Sequence, residues 1–450
     1  MMINMKILHY TLGLPPYRTG GLTKYSIDIM SEQSKEGNDV FLLFPGIIEV
    51  LNKKTSIKPY KRYGNIRVFE IVNPLPVPLL NGVRKPEIFM KSCDKKIFIE
   101  FLIDLKIEVV HIHTFMGLYK EFILACKELG IKVLYTTHDY FGLCTKVNFF
   151  DYEGNSCEER NIEKCLKCNM CGSSEGKMLI LQSKPYRELK NIGFIDLIKK
   201  MKVKSKSNDK EVDDVVSDIN EECYIELIKY YEEMYVNIDF FLFNSSVTKN
   251  IFMKYLNIKG EIVPITHSNI KDNKVLKNYE DKTLKITYLG PTKKYKGFNF
   301  IIDVMKRIET SDIQLNVYGD TTVDKTVVPN NTHLHGRYRY EQLKEIFINT
   351  DVLVVPSIWN ETFGFITLEA LSYGVPVISS DMVGSKDMLD YERYGLVLKP
   401  EIQLFADKLI ELQKDKSKLK DFNTNIVSSL NVLNIKEHVK DLYYYYEDGR

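Results

Sequence analysis

Apolar and polar positions follow two rhythms along this chain. Short continuous apolar runs, rich in Val, Ile and Leu, recur at 5–11 (MKILHYT), 40–44, 108–113 (EVVHIH), 132–138 (KVLYTTH), 239–244 (DFFLFN) and 261–265. They return at 284–290 (LKITYLG), 314–318, 351–356, 375–379 and 395–398. Runs this short, without alternation, predict strands buried on both faces. Between them the apolar residues fall at helical spacing, over 22–35, 98–104, 119–129, 221–236, 245–256, 340–349, 365–373 and 405–412, and again at the end in HVKDLYYYYED. Strands alternating with helices predict an α/β protein with doubly wound parallel sheets. No internal repeat is evident.

The rhythm breaks in three places. Residues 73–86 are rich in Pro and read as an irregular surface loop. Residues 269–282 are polar and charged and read as an interdomain linker. They separate a first domain, 1–268, from a second, 283–420, and 421–450 is expected to return to the first as a helix. The stretch 144–220 breaks the α/β pattern and reads as an insertion in the first domain.

Composition narrows the class. A length of 450 residues suits two to three domains, and 44% apolar with 27% charged residues is ordinary for a soluble globular protein. A net charge of +2 argues against a general nucleic-acid binder. No apolar run is long enough to span a bilayer, and the start, MMINMKILHYTLGLPPY, lacks the pattern of a signal peptide. The expectation is a cytoplasmic protein, where the eight cysteines are reduced or metal-bound rather than paired.

The candidate chemistry gathers in 351–389. Glu361 precedes a predicted helix and Glu369 lies within it, with Thr362, Phe363, Gly364 and Phe365 at the helix start. A helix N-terminus offers free N–H groups and partial positive charge to a phosphate, and Gly364 lets the backbone come close. The flanking carboxylates can accept hydrogen bonds from sugar hydroxyls. Gly20 and Gly21 lie between the first strand and first helix, another place for a diphosphate. Gly290 ends a strand, and Lys296 precedes Gly297 and the next helix, where an ammonium can meet a diphosphate. His113 and His138 fall at carboxyl ends of strands, the edge where open α/β sheets bind ligands.

The words PSIWNETFGFITLEALSYGVPVISS closely resemble the signature of retaining nucleotide-sugar glycosyltransferases of the GT-B fold, family 4 (glycosyl transferases group 1). The resemblance implies two Rossmann-like domains facing a cleft, the second holding the donor and the first the acceptor. It implies that Glu361 contacts the donor sugar and Glu369 the nucleotide ribose. Lys296 and the Gly20–Gly21 loop would meet the donor phosphates, and His138, in TTHDYF, would line the reaction centre, with Asp139 fixing its tautomer or capping a turn. Many relatives carry Arg after the first glycine of the Lys296 loop; here Pro291 stands there, and Lys293 or Lys294 is the candidate substitute. Asp387 stands where the family often has Glu. No DxD motif is placed to hold Mg²⁺, so no metal is expected in the chemistry. The acceptor would be a saccharide or lipid-linked saccharide of surface-polysaccharide or glycoconjugate synthesis. A non-catalytic sugar-nucleotide-binding protein and a sugar-nucleotide epimerase share the fold and remain alternatives.

Two features stand apart. Cys157, Cys165, Cys168 and Cys171, with Cys144 upstream, are spaced for a structural Zn site, an iron–sulfur site or free thiols. Residues 184–206 interleave Lys and Arg with Leu, Ile, Phe and Met, a pattern for an amphipathic helix on an anionic membrane or for an ordinary solvated helix.

Overall fold

Two sheets organise the chain in a computed structural model that describes residues 4–170, 172–195, 197–198, 220–308, 310–319 and 328–447. The first sheet contains β1 (Lys6–Tyr10), β2 (Asp39–Pro45), β3 (Ser56–Pro59), β4 (Arg67–Val72), β5 (Val109–Ile112), β6 (Lys132–Thr136), β7 (Phe240–Phe243) and β8 (Gly260–Ile262). Its order is β3-β4-β2-β1-β5-β6-β7-β8. Every neighbouring pair is parallel except β3 with β4. The second sheet contains β9 (Leu284–Gly290), β10 (Ile313–Gly319), β11 (Thr332–Gly336), β12 (Val352–Val355), β13 (Val377–Ser380) and β14 (Gly395–Leu398). It is parallel throughout, in the order β11-β10-β9-β12-β13-β14.

Residue alternation shows why these strands read as continuous apolar runs. Val352 and Val354 enter one buried cluster of the second domain, and Leu353 and Val355 the other. Successive side chains point to opposite faces, and helices cover both, so every position is apolar. In the first sheet Ile7, Val109 and Leu134 face one cluster, while Leu8, Val110 and Val133 face another.

Four regions differ from the sequence reading. Strands β3 and β4 were not foreseen: they are short, and their apolar residues alternate with Lys58, Arg67 and Glu70. Segment 73–86 is irregular but not a surface loop, since Leu75, Val77 and Val83 are buried. The insertion covers it: Gln182 Oε1 accepts from Val77 N at 2.8 Å, and Asn169 Oδ1 from Val83 N at 2.6 Å. The basic stretch begins as the helix Lys184–Asn191, whose Arg187 is buried in an ion pair with Glu70; residues 196 and 199–206 lie outside the described residues, as does Cys171. The boundary at 421 falls inside a helix, Ser417–Ser429, whose Leu419, Phe422 and Ile426 are core residues of the second domain.

The chain returns after that helix. Ile435–Glu447 packs Val439, Leu442 and Tyr446 against Met5, Ile7, Tyr25 and Ile29 of the first domain. Segment 269–282 has no helix or strand and runs along the second domain, where Lys277 Nζ donates to the carbonyls of Phe347, Ile348 and Thr350.

Candidate functional site

Strands β9 and β12 are neighbours, so the loops leaving their carboxyl ends run side by side. Gly297 has φ 75°, and a Cβ there would lie 1.8 Å from the Pro356 carbonyl oxygen; only glycine permits this approach. Ile358 N donates to the Tyr295 carbonyl at 3.1 Å. Residues 65 positions apart thereby meet: Lys296 Nζ forms an ion pair with Glu361 Oε1. Ser357 Oγ donates to the other carboxylate oxygen at 2.6 Å. Lys296 also lies 5.4 Å from the Trp359 ring centroid. Trp359 Nε1 is buried and has no hydrogen-bond partner among the described residues. Neither Ser357 nor Trp359 was singled out from the sequence, although both flank Glu361 in SIWNE.

The next residues join the two domains. Thr362 Oγ1 donates to the His138 carbonyl at 3.2 Å, and the Thr362 carbonyl accepts from Ser245 Oγ at 2.6 Å. Phe363 is buried in a cluster containing Tyr25. Gly364, at φ 96°, precedes the two-turn helix Phe365–Leu371. A Cβ on Gly21 would lie 3.3 Å from the Phe365 ring, so the start of the long helix Gly21–Lys35 faces that residue. Gly20, at φ 122°, occupies the N-cap position of the long helix. Asp387 accepts from Ser246 N and Oγ, both at 2.6 Å, which closes another bridge between domains.

Glu369 pairs with His267 Nε2 at 3.2 Å, across the start of the interdomain segment. The His267 ring meets the Phe365 ring edge-on at 5.0 Å, and its Nδ1 is buried without a hydrogen-bond partner among the described residues. His267 was not foreseen; PITHS carries no local signal that this histidine reaches a helix about a hundred residues later. Gly290 is not part of the Lys296–Glu361 contact. It packs against Gly319, where a Cβ would lie 1.9 Å from the Gly290 oxygen. Lys294 does not stand beside Lys296 as a second cation in the cleft, because its Nζ donates to the Glu153 carbonyl at 3.1 Å.

His138 is half-buried, and burial holds its pKa down to about 3. Asp139 does not fix its tautomer: Asp139 Oδ1 accepts from Phe141 N at 2.9 Å and caps the turn. Burial pushes the Asp139 carboxyl up to about 6. The ring of His138 instead meets His113, Nε2 to Nδ1, at 3.3 Å. His9, His111 and His113 are buried, and their ligand nitrogens lie within 4.8 Å of one another, a spacing a metal could use. His9 and His111 already have both ring nitrogens in hydrogen bonds, as does His113.

Cys144, Cys157, Cys165 and Cys168 line one cavity of about 480 Å³ with Lys146, Arg160 and Lys164. Burial and the neighbouring thiols push Cys157 and Cys165 up to about 12. Among the described residues no three of these sulfurs lie within 4.8 Å of one another. Phe149 N donates to Cys144 Sγ at 3.4 Å, and burial pushes the Cys144 thiol up. This loop also reaches the second domain: Asn360 Nδ2 donates to Ser156 Oγ at 3.3 Å, and the Phe150 and Tyr295 rings meet at 6.1 Å.

Residues 269–427 match the family model described as Glycosyl transferases group 1. Two curated relatives align over part of the chain. One is an uncharacterized protein of the cps region of Klebsiella pneumoniae, 29% identical over 135 residues, 30% of this chain and 37% of that protein. The other is an uncharacterized glycosyltransferase of Methanocaldococcus jannaschii, 26% identical over 131 residues, 27% of this chain and 33% of that protein. The chain thus spans about a third of the length of the curated relatives it matches. Solved structures align over nearly all of it. They include the lipopolysaccharide outer core galactosyltransferase WaaB (TM-score 0.57, 16% identity, 98% of each chain). Anabaena HepE in complex with UDP also aligns (0.58, 11%, 98% of this chain and 99% of that one). So does sucrose-phosphate synthase of Thermosynechococcus elongatus (0.56, 14%, 98% of each). The architecture is therefore the GT-B fold: two parallel-sheet α/β domains, the second carrying the group 1 domain.

Proposed function

We propose that this chain is a retaining glycosyltransferase of family 4 that moves a sugar from a nucleotide diphosphate to a saccharide or lipid-linked acceptor. The observation that carries the reading is the Lys296–Glu361 pair, set between the domains and inside the matched region. A cation for the leaving diphosphate and an anion for the sugar hydroxyls stand side by side. In support, structures of the similar HepE contain UDP or UDP-glucose, and the similar WaaG is involved in lipopolysaccharide biosynthesis.

In this mechanism the donor diphosphate takes Lys296 and the N–H groups at Gly20–Gly21 and at Phe363–Phe365. Lys296 shifts from Glu361 to phosphate. Glu361, still held by Ser357, accepts from the donor sugar, and Glu369 accepts from the ribose. The acceptor hydroxyl attacks the anomeric carbon on the face from which the phosphate leaves. The bond from that carbon to the phosphate oxygen breaks, the bond to the acceptor oxygen forms, and the acceptor proton passes to the departing phosphate. No divalent ion takes part in these steps.

The test is incubation of purified protein with nucleotide sugars and a membrane extract, followed by NMR and mass spectrometry of the products. Transfer to an acceptor, lost in Glu361→Gln, supports the reading. Sugar conversion without acceptor favours an epimerase, and donor binding without turnover a binding protein.

A cytoplasmic site at the inner face of a membrane belongs to the same proposal. Among the described residues no helix is long and apolar enough to cross a bilayer. Ile192, Phe194 and Leu197 are exposed, close in sequence to Lys184 and Lys190, a composition that suits an anionic surface. Co-sedimentation with vesicles containing anionic lipid tests it.

A structural zinc on the cysteine loop is also proposed, with Cys144 beside Cys157, Cys165 and Cys168. The four sulfurs line one cavity, where burial keeps the free thiols neutral, and a bound zinc would displace their protons and supply the charge the buried thiolates need. Binding would draw the sulfurs inward. Metal analysis should find about one zinc per chain, lost in Cys144→Ser; metal-free folded protein would contradict it.

A further inference from the structure

The first domain contains a hydrogen-bonded chain that ends on His138. Gln33 Oε1 lies 2.8 Å from His9 Nε2, His9 Nδ1 lies 3.1 Å from His113 Nε2, and His113 Nδ1 lies 3.3 Å from His138 Nε2. The register of β1 on β5 and of β5 on β6 brings the histidines into line. Burial keeps all three rings neutral near pH 7, with His9 down to about 4 and His113 well below the usual histidine range. A neutral imidazole donates from one nitrogen and accepts on the other. The proton positions are therefore not independent, and one choice at the Gln33 end fixes every ring.

The Gln33 amide is coupled in turn to Tyr446 of the returning helix, whose hydroxyl both donates and accepts. Gln33 Nε2 donates to Tyr446 Oη at 3.0 Å, and Tyr446 Oη lies 2.7 Å from His111 Nδ1. With its amide nitrogen on Tyr446, Gln33 presents its oxygen to His9. His9 then donates from Nε2, His113 from Nε2 to His9, and His138 from Nε2 to His113. His138 Nδ1 is left as a bare lone pair. It has no hydrogen-bond partner among the described residues, and His138 is half-buried beside Thr362. A reversed Gln33 amide would reverse each link and place a proton on Nδ1.

We propose that Gln33, His9 and His113 form a positioning relay that fixes His138 as the Nε2–H tautomer, so that Nδ1 accepts a hydrogen bond from a substrate hydroxyl. The hydroxyl is one of the donor sugar or the acceptor, a point that rests on the glycosyltransferase reading. The relay itself does not touch substrate.

The experiment is long-range ¹H–¹⁵N NMR of ¹⁵N-histidine-labelled full-length protein, without donor or acceptor. His138 should show a protonated Nε2 and a bare Nδ1. Gln33→Glu, which still accepts from His9, should keep that signature. Gln33→Met removes the anchor and should give a mixture of tautomers at His138. Tyr446→Phe keeps the ring but not the hydroxyl that orients the amide, and should do the same if Gln33→Met does not fold. In the active enzyme these two changes should raise KM by up to about tenfold, the worth of one neutral hydrogen bond, with a smaller effect on kcat. A proton on Nδ1 in the unaltered protein would overturn the relay, as would an unchanged His138 in a folded Gln33→Met or Tyr446→Phe variant. Because the tautomer is read without substrate, the relay and the glycosyltransferase reading can fail separately.

Discussion

Lys296 and Glu361 neutralise each other at the carboxyl edge of the second sheet, with Ser357 holding the carboxylate from its other side. The pair has a consequence for binding. In the proposed mechanism a diphosphate draws Lys296 away from Glu361, and the carboxylate must not lose its position when that happens. Ser357 supplies the second anchor. Glu361→Gln keeps the hydrogen-bonding shape but frees Lys296. Donor should therefore bind as well as before or better, while kcat falls by about a hundredfold or more. Calorimetry with donor, alongside steady-state rates, separates the two effects.

Glu369 is held by His267 at 3.2 Å, an arrangement that under the proposed function presets the carboxylate for a ribose. His267→Ala should weaken nucleotide binding by about tenfold to a hundredfold, the range for a hydrogen bond to a charged group. Glu369→Gln should do the same. The double variant should cost little more than either single one, because the two residues act as a unit. Nucleotide titration of the three variants checks this coupling.

Asp387 takes two hydrogen bonds from Ser246 and ties the second domain to the start of the helix Ser246–Tyr255. Asp387→Ala should leave each domain folded and loosen the angle between them. Small-angle scattering should report a larger radius of gyration without nucleotide and recovery when a donor closes the cleft. An unchanged radius with weakened activity would place Asp387 in the chemistry instead.

Acid should unfold this protein early. His9, His138 and His438 have folded-state pKa values lowered to about 4, 3 and 4, chiefly by burial, while the unfolded chain titrates near 6.5. Below that value the unfolded state binds protons that the folded state refuses, so stability falls as pH drops from about 6.5 toward 4. Each such histidine contributes about 1.4 kcal/mol per pH unit in that window. Asp139, raised to about 6, opposes the trend, since the folded state keeps a proton that the unfolded chain gives up and stability falls as pH rises from about 4 to about 6. Three histidines outweigh one carboxyl. Circular dichroism against pH should show the transition inside that window.

The sheets were legible because strands covered on both faces are apolar at every position, as in LKITYLG and DVLVV. Strand β4 was not, because Glu70 sits inside only by virtue of Arg187, 117 residues away. Candidate chemistry followed the same rule. Lys296 and Glu361 each stood at a strand end, where ligands gather, but their contact depends on β9 lying beside β12. His9 read as one more strand residue until the register placed it opposite His111. His267, Tyr446 and Gln33 act across the domains or along the returning helix, and no local spacing announces such partners.

The most direct measurement is the thermal shift of the intact protein with a panel of nucleoside diphosphates, repeated for Lys296→Ala. A ligand that binds only the folded chain raises Tm with concentration. A saturable shift is expected with at least one diphosphate, much reduced in Lys296→Ala. No shift across the panel, or an equal shift without the ammonium, would contradict it.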